Sequence, residues 1–217
     1  MGVRRGADVL VFGGVLVHAA LVGSSGFRAR VGEKVTLGLQ VYCRRRSLVV
    51  APQERDEPVQ PGPAGELGLT GIVLPHAASM LGGWVLEVAG IPVHVEEAPA
   101  GRAPGVIVGR NDRRAASDPV EPLPGAGTWV RVTGPVSVAD DYETEDAEQA
   151  WLMPMRRPWL VRRIVRRTPA GQALEAGAIV HTGDTSDYLI DLAGTGHADL
   201  PGPGSSGTPG VRSGCGP

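Results

Sequence analysis

Aromatic residues are scarce in this chain, 4% of its 217 positions, so a folded core has to be assembled from Val, Leu, Ile and Ala. Lysine is almost missing, because Lys34 is the one lysine among 21 basic residues. Cysteine is limited to Cys43 in a strand-like run and Cys215 in a Gly/Pro-rich tail, which excludes a disulfide framework and a cysteine zinc cluster. No uninterrupted apolar run reaches the roughly 18 residues that a membrane-crossing helix needs, so no membrane span is expected. The sequence contains no Walker A string, no G-x-G-x-x-G between a strand and a helix, and no G-x-S-x-G elbow. No cofactor is therefore called for. A formal net charge of −2 argues against a general polyanion binder.

What the chain does have is punctuation. Its 32 glycines and 19 prolines are spread along the whole length, the pattern of turns between short strands. They also disfavour long helices, since Gly and Pro cost roughly 1 and 3 kcal/mol in a helix interior. With 42% apolar residues, a real core can be buried. The fold class that follows is mainly β: short antiparallel strands in one or two small barrels or sandwiches of the OB kind, with one or two short helices.

Several strands can be read directly. Val35 to Val41 alternates with period two, as a half-buried strand does. Arg44-Arg45-Arg46 reads as a polar turn, with Leu48-Val49-Val50 as the hairpin partner. Residues 52–65 read as an exposed loop, and 77–81 as a short helix. Trp84 to Val88 and Ile91 to Val95 form a second hairpin around Ala89-Gly90, with Pro92 demoting its second strand to an edge. Thr128 to Thr133, Val136 to Val138 and Trp159 to Arg167 continue the strand pattern. Thr185 or Ser186 is placed to cap a short helix over Asp187 to Ala193. The expected organisation is a β-rich domain over 1–110, a loop or linker over 111–127, and a second β unit, or the completion of the first, over 128–195. A Gly/Pro/Ser-rich disordered tail is expected over 196–217.

One internal echo is visible. Gly32-x-x-Val35-x-Leu37 recurs as Gly127-x-x-Val130-x-Val132, with Val41 and Val136 in register beyond. Near the start, Arg4 and Arg5 precede an apolar stretch from Val9 to Val22, the outline of a signal peptide. Asp8, Gly13-Gly14 and His18 break that outline, and two strands joined at Gly13-Gly14 explain the same residues. The expected location is cytoplasmic, with secretion as the alternative.

Two strings have chemical potential. His181-Thr182-Gly183-Asp184-Thr185 resembles the glycine-aspartate turn of metallo-β-lactamase-fold hydrolases, and the resemblance implies a metal ligand at Asp184, beside His181. It covers about five residues and lacks the family's H-x-H-x-D-H cluster, since His18, His76, His94, His181 and His197 are scattered singly. A metal-dependent hydrolase needs several imidazoles converging on the ion, so a turn with an Asx cap explains the string more simply.

The second string is basic. Arg156, Arg157, Arg162, Arg163, Arg166 and Arg167 crowd around Trp159, a composition that grips phosphates or stacks a base. Asp140, Asp141, Glu143, Glu145, Asp146 and Glu148 precede it, and a hairpin between the two runs would cancel the charge. Arg110, Arg113 and Arg114 make a smaller basic group in loop sequence. The leading functional expectation is a binding or assembly module without a recognisable active site, its partner a protein or a second copy meeting sheet edges. An anionic-ligand or nucleic-acid binder using the arginines comes second, with nucleic acid not favoured.

Overall fold

The computed structural model describes residues 10–51, 57–62, 66–77, 80, 82–97, 122–183 and 185–194. These residues are mainly β, as the composition requires. In chain order the elements are β1 (Val11–Val17), α1 (Ala19–Gly23), β2 (Ala29–Arg30), β3 (Lys34–Leu37), β4 (Leu39–Cys43), β5 (Arg45–Leu48), β6 (Val59–Pro61) and β7 (Leu67–Val73). They continue as β8 (Trp84–Val88), β9 (Ile91–Glu97), β10 (Trp129–Gly134), β11 (Val136–Val138), α2 (Asp141–Trp151), β12 (Arg157–Arg167), β13 (Ala173–Glu175), β14 (Ala178–Ile179) and β15 (Asp187–Gly194). No helix among the described residues is long and apolar enough to cross a membrane.

The pairings close on themselves twice. From β3 the ladder passes to β12, then β15, β1, β11 and β4, and β4 is separated from β3 only by Gly38. From β10 it passes to β7, β8, β9, β4 and β11, and β11 is separated from β10 only by Pro135. The two circuits therefore share the antiparallel pair β4–β11. Each contains one parallel contact, β1 with β11 and β4 with β9, and the remaining contacts are antiparallel. Closure gives most strands of each circuit a partner on both sides, whereas β3 pairs β12 alone.

The sequence echo is the imprint of this arrangement. Gly32 and Gly127 both adopt positive φ, +86° and +79°, in the turns that launch β3 and β10. Val41 and Val136, equivalent positions of the two copies, face each other as cross-strand partners. By pairing role, β3–β4 thus corresponds to β10–β11, β12 to β7, β15 to β8 and β1 to β9. Inward side chains from both circuits form one apolar cluster, including Phe12, Val15, Trp84, Leu86, Trp159 and Ile190. With so few aromatics, the large rings are placed economically: Phe12 meets Trp159 edge-on at 5.3 Å.

Several local expectations need correction. Gly13-Gly14 is a β-bulge inside one strand, β1, where the register to β15 shifts between Phe12 and Val15; it does not join two strands. Arg44-Arg45-Arg46 is no turn: β5 continues the course of β4 and pairs β10, with Arg46 opposite Val132. Pro92 does not make β9 an edge, because it stands near the strand's start and the parallel ladder to β4 begins at Val93. Within the 52–65 stretch, β6 pairs β7. Residues 187–194 are strand, not helix: Tyr188, Ile190 and Leu192 are buried in alternation between β1 and β12. The acidic run forms α2 rather than a hairpin arm. The 77–81 helix, most of the 111–127 linker and the 196–217 tail fall largely or wholly outside the described residues.

Candidate functional site

Strand β12 distributes the six arginines over different surroundings. Arg156, just before it, belongs to α2: its guanidinium lies 3.2 Å from Asp141, 3.7 Å from Glu145 and 3.4 Å from Glu148. Glu148 also accepts the backbone N–H of Met155 and Arg156, so helix and strand start are tied together. The acidic run thus neutralises one arginine. Trp159 points inward, 1% exposed, and its indole N–H donates to the Leu37 carbonyl at 3.3 Å. It is a core ring and does not join the arginines on the surface.

The remaining arginines sit around a bulge between Val161 and Arg163. Arg163 donates to Glu175 of β13 at 2.8 Å, both groups being exposed, a pairing of small energetic weight. Arg166 donates to the Ser186 hydroxyl. Arg162 and Arg167 are exposed, and neither they nor Arg157 form an ion pair with a described carboxylate. Acids do stand opposite on β15, with Asp191 facing Arg163 and Asp187 facing Arg167. Their oxygens, however, accept backbone N–H groups, Gly14 at 2.7 Å and Ala19 at 2.9 Å. Asp187 also lies 4.0 Å from His18, and neither aspartate forms an ion pair with a described arginine of β12.

A shallow cleft of about 70 Å³ opens where the β3–β4 junction meets the start of α2, lined by Phe27, Thr36, Gly38, Val138, Thr144 and Arg156 among others. It is far below the roughly 300 Å³ at which small-molecule pockets begin. It has room for water or a small ion.

A second polar group lies beneath α2, and no sequence motif marks it. Ser137, Gln40, His94 and Val85 form a row across β11, β4, β9 and β8. His94 is 6% exposed. Its Nε2 is 3.1 Å from the Gly82 carbonyl, while Nδ1 is buried with no hydrogen-bond partner. Gln40 donates to Glu96 at 2.9 Å, and Trp151 of α2 meets His94 edge-on at 6.3 Å. Glu143 of the same helix has its pKa raised, chiefly by burial, with Asp140 and Glu96 adding repulsion and His94 and the Asp140 N–H opposing it. Only the strand register brings these residues together, and they come from three distant parts of the chain.

Cys43 is buried, and burial together with the nearby Glu97 carboxylate pushes its pKa up to about 12, so its thiol is inert at neutral pH. Glu97 in turn accepts the Trp84 indole N–H at 2.9 Å and pairs with Arg46 at 3.1 Å. Of the metal string, His181 is exposed beside Gly23, and Asp184 lies outside the described residues. Among the described residues no three His, Cys, Asp or Glu side chains converge in a metal-binding group. Arg110, Arg113 and Arg114 are also outside the described set. Searches of protein-family models, curated proteins and solved structures found no match to this chain.

Proposed function

We propose that this chain is a binding module that docks an acidic protein segment on the outer face of β12, with Arg162, Arg163 and Arg167 as the contact cations. The observation that carries the reading is the way nearby carboxylates are used. Asp187 and Asp191 stand opposite two of these arginines but are engaged by backbone amides. Among the described carboxylates only the exposed Glu175 reaches Arg163. An acidic segment would meet the exposed Arg162 and Arg167, which form no ion pair with a described carboxylate.

A discrete acidic peptide suits this surface better than a nucleic-acid backbone. The aromatic that could have stacked a base on this face is in the core. The scaffold reading rests on the closed circuits of short strands; a β fold of that kind leaves the ligand to be argued from the surface.

A labelled Glu-rich peptide and a labelled single-stranded oligonucleotide, titrated in parallel at two salt concentrations, test the proposal. Salt-sensitive binding of the peptide, lost in Arg162→Glu/Arg167→Glu, is the expected result. Absence of peptide binding, or equal binding by that variant, overturns it. Preference for the oligonucleotide replaces the acidic segment with nucleic acid as the partner.

A further inference from the structure

The hairpin that follows β12 brings one of the chain's own acids onto the arginine face. Strand β13 pairs β12 alone. A tight turn returns it, in which the Thr168 carbonyl accepts the Gly171 N–H at 2.8 Å and the Thr168 N–H donates to the Gln172 carbonyl at 2.9 Å. Ala173, Leu174 and Glu175 are all exposed, so packing does not fix the side chains of this strand. Glu175 stands opposite Val165, yet its carboxylate reaches two residues back along β12 to Arg163. Arg163 Nε donates to Oε1 of Glu175 at 2.8 Å, and Nη2 lies 2.8 Å from the same oxygen. Residues two apart on a strand share a face, so the reach runs along the surface.

That contact covers the part of Arg163 a ligand would use. Nε and Nη2 form one edge of the guanidinium, and a carboxylate binds such an edge in the strongest arginine pairings. Arg162 is the extra residue of the bulge. Like Arg167 it is exposed and forms no ion pair with a described carboxylate. The face therefore presents two guanidinium groups without such a pairing and a third that already carries a carboxylate. Asp191, the other acid beside Arg163, is placed differently, because it accepts the Gly14 N–H at 2.7 Å. The described contacts of the Glu175 side chain are with Arg163 alone. Of the two acids, Glu175 can turn away without breaking a described backbone hydrogen bond.

We propose that Glu175 is a built-in competitor for the docking surface, holding Arg163 in the free protein and yielding it when an acidic segment docks. This rests on the docking reading above and adds how the same site is regulated. An incoming carboxylate takes the Nε–Nη2 edge, and the Glu175 side chain rotates into solvent. Exposed pairs are individually weak, so the competitor raises the threshold for docking without closing the site.

A labelled Glu-rich peptide is titrated at one low salt concentration into the wild type, Glu175→Gln, Arg163→Gln and the double variant. Both substituted side chains are exposed, so no core contact is disturbed. Glu175→Gln is expected to bind the peptide about two- to fivefold more tightly, the weight of an exposed pair. In the Arg163→Gln background the same change is expected to bring a smaller gain, what is left being the loss of one nearby negative charge. No gain from Glu175→Gln, or an equal gain in both backgrounds, overturns the competitor and leaves the docking reading standing. Absence of peptide binding by both the wild type and Glu175→Gln overturns the docking reading and the competitor with it.

Discussion

At the scale of single residues, burial decides which chemistry survives. Trp159 sits among arginines in the sequence, yet β12 alternation turns it into the core against Phe12. Trp159→Ala is expected to cost about 3–5 kcal/mol, the range for large-to-small aromatic truncation, measured by urea unfolding; a loss under about 1 kcal/mol would mean the ring is not a core element. Cys43 gives a chemical check of the same principle. With its thiol pushed up to about 12, a Cys215→Ser variant should show no reaction with a thiol reagent at neutral pH until denaturant is added. Prompt labelling of the native protein contradicts the burial assigned to Cys43. Neither property was legible beforehand, because a lone Trp between arginines and a lone Cys after a Tyr look the same on either face of a strand.

Elements depend on their partners as much as on their own residues. The α2 helix is locally encoded: Asp140 at the N-cap and Glu143 three residues on form a capping box, and Asp140→Ala is expected to remove about 1 kcal/mol of stability. Calorimetry on that variant checks this, and an unchanged melting temperature counts against the cap. The sequence contains that signal, but the adjacent arginines favoured a hairpin because opposite charges so close in the chain suggest pairing. In β15 the reverse happened. Asp187 to Ala193 has a plausible cap and a short apolar run, and at that length period two and period 3.6 are hard to separate; flanking β1 and β12 decide for strand. Likewise Arg44 to Arg46 look like a turn until β10 is available as a ladder partner. Gly134 marks where the shared ribbon is tightest, since an added Cβ would collide with the Tyr42 carbonyl and carbon. Gly134→Ala should therefore cost about 1–3 kcal/mol through backbone displacement, and a variant as stable as the parent contradicts the close approach of the end of β10 to β4.

For the whole molecule, the consequence of shared strands is cooperativity. Because β4 and β11 belong to both circuits, loss of the β4–β11 pair opens both. Variants retaining Trp84, in one circuit, or Trp159, in the other, as sole emitter should report coincident unfolding midpoints; two separated transitions contradict the shared ribbon. The echo between Gly32 and Gly127 was visible in the sequence, and its two copies take equivalent pairing roles in the two circuits. The partner strands of the two copies could not be traced, because β12 and β7 match in pairing role, not in sequence. The functional account likewise depends on the assembled surface, where carboxylates from β15 are committed to the backbone of residues 14 and 19 and guanidinium groups are left exposed. NMR signals of the arginine Nε–H groups, followed while a Glu-rich peptide is added, examine that claim most directly. The account predicts salt-sensitive shifts at Arg162, Arg163 and Arg167, with Arg156 held by its carboxylates and little changed at neutral pH. Shifts confined to other residues, or none at saturating peptide, contradict it.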